Sequence, residues 1–137
     1  MNFGFSKKDG RSPQARIEPA SVIAVASGKG GVGKTWLSTT LAASFASMGR
    51  RVLLVDGDLG LANVDVQLGI APETDLAAVV AGWVELQDAV CPVNGGASST
   101  NNAGFDVLPG RSGSGALAGL PPEEAARLAA SLTAIAM

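Results

Sequence analysis

Between residues 28 and 35 the chain reads Gly-Lys-Gly-Gly-Val-Gly-Lys-Thr, and no other stretch restricts its fold as tightly. The run fits the pattern glycine, four residues, Gly-Lys-Ser/Thr, which cradles phosphate when it sits between a strand and a helix. Residues 22–26, Val-Ile-Ala-Val-Ala, form an apolar run suited to a buried parallel strand. After the loop, Leu37, Leu41, Phe45 and Met48 recur at helical spacing and predict a helix over about 34–48, stopped by Gly49. With glycine at 28, 30, 31 and 33, the backbone can curl so that successive N–H groups converge on one anion. The helix N-terminus adds partial positive charge at the same place. Lys34 brings a full charge for the β- and γ-phosphates, and the Thr35 hydroxyl is placed to ligate Mg²⁺.

A second group of polar residues follows the next apolar run. Residues 51–56, Arg-Val-Leu-Leu-Val-Asp, predict a buried strand that ends in Asp56, and Asp58 lies two residues on. In an open parallel sheet, ligands sit beyond the carboxyl ends of the strands, so both carboxylates would face the glycine loop. There they can hold Mg²⁺ through water or orient a water for attack on a phosphate. Alternatively, they simply end the strand and cap the next turn.

The rest of the chain alternates in the same way. Thr74 predicts the N-cap of a helix through residues 79–81, and residues 84–90 suggest a further short helix. Residues 92–104 and 111–115 read as loops, and 105–109 as a third strand. Pro121, Pro122, Glu123 and Glu124 open a final helix that continues through Leu128, Leu132 and Ile135. Strands alternating with helices indicate an α/β fold with a parallel sheet flanked by helices. Residues 1–20 read as a flexible polar leader and 21–137 as the N-terminal part of a nucleotide-binding domain that looks cut off.

Composition narrows the chemistry. The single cysteine, Cys91, allows no intrachain disulfide and is expected to be an inert thiol in a reducing compartment. The absence of histidine excludes imidazole catalysis and histidine-ligated metals. A net charge of −2 implies no general attraction to nucleic acid, so no nucleic-acid partner is expected. The basic residues Lys7, Lys8, Arg11 and Arg16 crowd the leader, where a solvated terminus is the simpler reading. No signal peptide or stretch of transmembrane length is evident, and the expected location is cytoplasmic.

Lys29, inside the glycine loop, resembles the additional lysine of the deviant Walker A ATPases, the MinD/ParA family. The likeness continues through residues 52–68, VLLVDGDLGLANVDVQL, and 105–110, FDVLPG, and is closest to the flagellar-number regulators FlhG and FleN of the MinD branch. The Asp-Pro-Gln-Gly-Asn sequence common in partition ParA proteins is absent. The resemblance implies a P-loop ATPase of the SIMIBI type that uses ATP and Mg²⁺. It gives the nucleotide-contacting set as Gly28, Lys29, Gly30, Gly31, Val32, Gly33, Lys34, Thr35 and Trp36. Lys34 would bind the γ-phosphate in cis, Lys29 the partner's phosphates in a nucleotide-sandwich dimer, and Thr35 the Mg²⁺. Asp56 would meet the metal through its hydration shell, and Asp58 would orient the attacking water.

Trp36 stands where the family commonly has a small polar residue beside the α-phosphate. Its indole either packs beside the nucleotide or lines the helix–sheet interface. Thr40 replaces a common asparagine, and the leader lacks the full glutamine-containing activator motif of some flagellar members. No strand ending in an Asp-Gly switch follows residue 110, and no C-terminal amphipathic membrane helix is evident. The chain therefore reads as the N-terminal portion of a longer ATPase.

In the complete protein, the resemblance implies a homodimer through the nucleotide site and a flagellar or cell-pole partner protein. A membrane surface would be reached through the C-terminal helix. The alternatives are a division-site or cargo-positioning ATPase, a non-catalytic nucleotide-binding fragment, and a small-molecule P-loop kinase.

Overall fold

The computed structural model describes residues 21–58, 62–94, 104–110 and 119–135. The polar leader, most of the 92–104 segment and residues 111–118 lie outside the described residues. Helix α1 spans Lys34–Ser47 and strand β1 Leu53–Val55. Two short helices follow, α2 at Val64–Leu68 and α3 at Leu76–Val80, then a 3₁₀ turn at Leu86–Ala89. Strands β2, Cys91–Val93, and β3, Phe105–Leu108, complete the sheet, and helix α4 covers Pro122–Ile135.

The sheet order is β1-β3-β2. Strand β1 runs parallel to β3 with Leu53 opposite Asp106 and Val55 opposite Leu108. Strand β2 is antiparallel to β3, with Cys91 opposite Val107 and Val93 opposite Phe105. The α/β class stands, while the described sheet is mixed rather than purely parallel. Residues 91–93 fall largely within a segment that reads as a loop, because their pairing is with a distant strand. Pro92 is tolerated there because β2 lies at the edge of this sheet, where one missing N–H leaves no ladder broken on the outer side.

The alternation of side chains along β3 separates two cores. Phe105 and Val107 join Ala42, Ala46, Val64 and Val93 on the face covered by α1 and α2, with Val52 and Leu54 packed against them. On the opposite face, Leu108 meets Leu76 and Ala89, bordered by Leu53, Val55, Leu128 and Leu132. Complete burial of Val107 and Leu108 stabilises the sheet by about 1.5–3 kcal/mol per side chain.

Two expectations are corrected here. Residues 22–26 form no regular strand, and Val22 and Ile23 are 81% and 62% exposed. Both edges of β3 are already occupied by β1 and β2, and no ladder among the described residues includes the 22–26 segment. The second correction concerns α1, which buries Thr39, Ala42 and Ala46, while Leu37 and Met48 of the anticipated apolar stripe remain exposed. The helix is apolar on two sides, and its small-residue side is the one that can approach β3 closely. Its C-terminal end follows expectation, with Met48 as C-cap and Gly49 at φ 78°.

Candidate functional site

The glycine loop leads into α1 through two left-handed residues, Gly31 at φ 72° and Gly33 at φ 91°. A side chain at either position would strain the backbone, so the sequence permits this turn only with glycine. Gly33 is the N-cap of α1 and has no side chain to cap the helix, and no acidic residue lies in its first turn. The first intrahelical bond is Leu37 N–H to the Gly33 carbonyl at 2.9 Å. The preceding N–H groups at the helix start are therefore left for an anion, supported by the dipole.

Opposite this helix start stands the carboxyl end of β1. The Asp56 N–H donates to the Leu108 carbonyl at 3.0 Å, extending the parallel ladder by one residue. The Asp56 side chain is 8% exposed. Its Oδ1 accepts from Asp58 N–H at 3.1 Å, and its Oδ2 accepts from Asn63 and Val64 N–H, each at 3.1 Å. One buried carboxylate thus ties both ends of the connection between β1 and α2. Gly110 lies against the same point: a Cβ there would come within 2.6 Å of the Asp56 carbonyl oxygen and 2.8 Å of Ala62 Cβ.

The tethered connection aims two side chains back at α1. Asp58 Oδ2 lies 3.7 Å from Lys34 Nζ. Thr35 Oγ1 donates to Asn63 Oδ1 at 2.9 Å. One turn further along both helices, Gln67 Nε2 donates to Thr39 Oγ1 at 3.1 Å. The Thr39 hydroxyl itself donates to the Thr35 and Trp36 carbonyls, so this buried group is satisfied.

These residues enclose a cavity of about 280 Å³ lined by Gly30, Gly31, Gly33, Lys34, Thr35, Trp36, Asp58, Asn63 and Gln67. Most of the residues expected to bind nucleotide therefore meet at one hollow, together with Asp58. Gly28, Lys29 and Val32 are exposed and lie outside its lining. The Lys29 N–H donates to Ser27 Oγ at 3.2 Å, and that hydroxyl donates to the Lys29 carbonyl at 3.2 Å. Trp36, 65% exposed, borders this hollow and a second, wider one beside Thr40, Ser44 and Phe105. Asn63 and Gln67 escaped the sequence reading. Their four-residue spacing matches that of Thr35 and Thr39, a signal that acquires meaning only once α1 and α2 lie side by side.

The donors around the hollow are hard oxygens from a hydroxyl, a carboxylate and amides, beside one ammonium. Such a set suits Mg²⁺, which needs few protein ligands when phosphate oxygens and water complete its shell. Among the described residues, no group of three or more His, Cys, Asp or Glu side chains is placed to hold a metal unaided. Cys91 stands apart from the hollow. Its Sγ donates to the Ala89 carbonyl at 3.9 Å, and burial, then the negative charge of Glu73, raises its pKa above the ordinary thiol value.

A glycine loop at a helix start, facing the carboxyl end of a parallel strand, defines a phosphate-loop nucleotide-binding domain. The chain belongs to the CobQ/CobB/MinD/ParA nucleotide binding domain family, whose pattern matches residues 23–135. It is 46% identical over 112 residues to the antiactivator FleN of Pseudomonas aeruginosa, covering 82% of this chain and 37% of FleN. It is 37% identical over 91 residues to the flagellum site-determining protein YlxH of Helicobacter pylori, covering 66% of this chain and 28% of YlxH. Among solved structures, the septum site-determining protein MinD of Pyrococcus horikoshii, complexed with Mg-ADP, superposes with a TM-score of 0.61 at 34% identity. That match covers 77% of this chain and 41% of MinD. The chain therefore spans less than half the length of each of these proteins. Among the described residues, no helix is long and apolar enough to cross a membrane.

Proposed function

We propose that this chain forms the phosphate-gripping part of an ATP-binding, ATP-hydrolysing switch of the MinD type, working in the cytoplasm with Mg²⁺. The observation that carries the reading is the convergence of Lys34, Thr35 and Asp58 on one hollow at the uncapped start of α1. Lys34 neutralises the γ-phosphate, and the loop N–H groups fix the phosphate chain. When bound, Mg²⁺ would supply charge neutralisation between the β- and γ-phosphates, held by the Thr35 hydroxyl and by water on Asp56. Asp58, released from Lys34 by a phosphate, orients the water that attacks in line.

Lys29, exposed at the outer side of the loop, is available to a second subunit, consistent with an ATP-dependent homodimer. Its similarity to FleN and YlxH favours control of flagellar number or placement over division-site selection. The complete protein would relay its nucleotide state to a flagellar or cell-pole partner and to the membrane surface.

Calorimetric titration of Mg·ATP into the wild-type protein and Lys34→Ala tests the central assignment. Removal of the ammonium is expected to abolish measurable binding. Unchanged affinity in the variant would overturn the phosphate-loop reading.

A further inference from the structure

We propose that Asn63 is a positioning residue for the metal. Its side-chain oxygen accepts a hydrogen bond from the Thr35 hydroxyl and so turns the hydroxyl lone pairs toward a phosphate-bound Mg²⁺. The inference rests on the reading of the hollow as a nucleotide–Mg²⁺ site.

A threonine hydroxyl has one proton and two lone pairs, and it can serve a cation only through the lone pairs. The direction of its proton therefore decides whether it is a competent ligand. Along α1, the hydroxyls of Thr39, Thr40, Ser44 and Ser47 all donate to carbonyls three or four residues back in their own helix. Thr35 differs, because its proton crosses to Asn63 Oδ1 at 2.9 Å.

The other end of this bond is prepared as well. Asn63 is the N-cap of α2, a position where asparagine ordinarily turns its side-chain oxygen onto its own helix. Here it makes no such cap bond. Asp56 accepts the Asn63 and Val64 N–H groups, which fixes the backbone that carries the Asn63 side chain toward Thr35. The Asn63 carbonyl accepts from Gln67 N–H at 3.0 Å, so both main-chain groups of Asn63 are anchored. A hydroxyl that coordinates a dication becomes a stronger donor, and a fixed acceptor behind it strengthens the metal bond.

The test is calorimetric titration of ADP into the protein in its natural full length, once with Mg²⁺ and once with EDTA. Wild type, Asn63→Leu, Asn63→Ala and Asn63→Asp are compared. Mg²⁺ should raise the affinity of wild type. In the Leu and Ala variants the affinity in EDTA should match wild type, while the gain from Mg²⁺ falls by about tenfold or more, the usual effect of losing an outer-shell partner. Asn63→Asp, which keeps an acceptor oxygen, should retain the gain.

An unchanged Mg²⁺ gain in both Leu and Ala variants overturns the proposal. So does an equal loss with and without Mg²⁺, which marks a merely structural role, or failure of Asn63→Asp to retain the gain. Wild type that binds ADP without any Mg²⁺ gain also overturns it. If wild type binds no ADP under either condition, the nucleotide reading itself fails, and the proposal falls with it.

Discussion

Replacing Asp56 with alanine removes the acceptor of three backbone N–H groups at once, and their surroundings set the size of the loss. Val64 is 4% exposed, and its N–H bond to Asp56 Oδ2 is buried. Without an acceptor, that group bears the full penalty of a buried unsatisfied donor, about 1–3 kcal/mol. The N–H groups of Asp58 and Asn63 belong to exposed residues and can turn to water. Each then loses only a net hydrogen bond, about 0.5–1 kcal/mol. The sum is about 2–5 kcal/mol, which for a chain of this size corresponds to a melting temperature lower by roughly 6–20 °C.

Asp56→Asn keeps one acceptor oxygen, which satisfies the Asn63 and Val64 pair, and turns its amide toward the Asp58 N–H. Its expected cost is about 1–2 kcal/mol. Thermal and urea unfolding of the two variants and wild type, without nucleotide or Mg²⁺, separates this structural role from any part in metal binding. The expected order of stability is wild type, Asn variant, Ala variant. An alanine variant that melts within about 2 °C of wild type would show that the carboxylate does not hold this connection.

Gly110→Ala should also destabilise the protein, by about 1–3 kcal/mol, because its Cβ would come within 2.6 Å of the Asp56 carbonyl oxygen. Urea unfolding with an unchanged midpoint would refute that close approach. Cys91, whose thiol pKa is raised by burial and by Glu73, holds less thiolate than a free thiol at pH 8. Alkylation by iodoacetamide should therefore be slower in the folded chain than in urea, and it should quicken in Glu73→Gln. Equal rates folded and unfolded would count against the proposed environment.

Much of this site follows from local rules. The start of α1 is legible because the glycine loop and Lys34 permit little else, and β1 because an apolar run ends abruptly in Asp56. The third strand was expected at 105–109 and is observed at Phe105–Leu108. What local rules missed depends on distant partners. Strand β2 exists by pairing with β3, and residues 22–26 have no strand neighbour among the described residues. The cap of α3 moved by one residue: Asp75 accepts the Ala78 N–H at 2.9 Å, whereas Thr74 donates to the Asp88 carbonyl at 3.4 Å. A threonine and an aspartate side by side offer two competent caps, and tertiary contact decided between them.

The two carboxylates of the Asp56–Asp58 pair illustrate why spacing alone left their roles open. Spaced two residues apart, both were candidates for either strand termination or phosphate chemistry. Asp56 turns inward and holds the backbone on either side of the connection, while Asp58 turns outward to Lys34. Lys34 and Thr35, adjacent in sequence, are consequently gripped by two residues of the same tethered connection, Asp58 and Asn63. A phosphate arriving at Lys34 repels the Asp58 carboxylate and competes for the same ammonium. The segment whose Asp58 contacts Lys34 is also the one whose Asn63 holds the Thr35 hydroxyl, so a phosphate bound at Lys34, as proposed, would be felt at both.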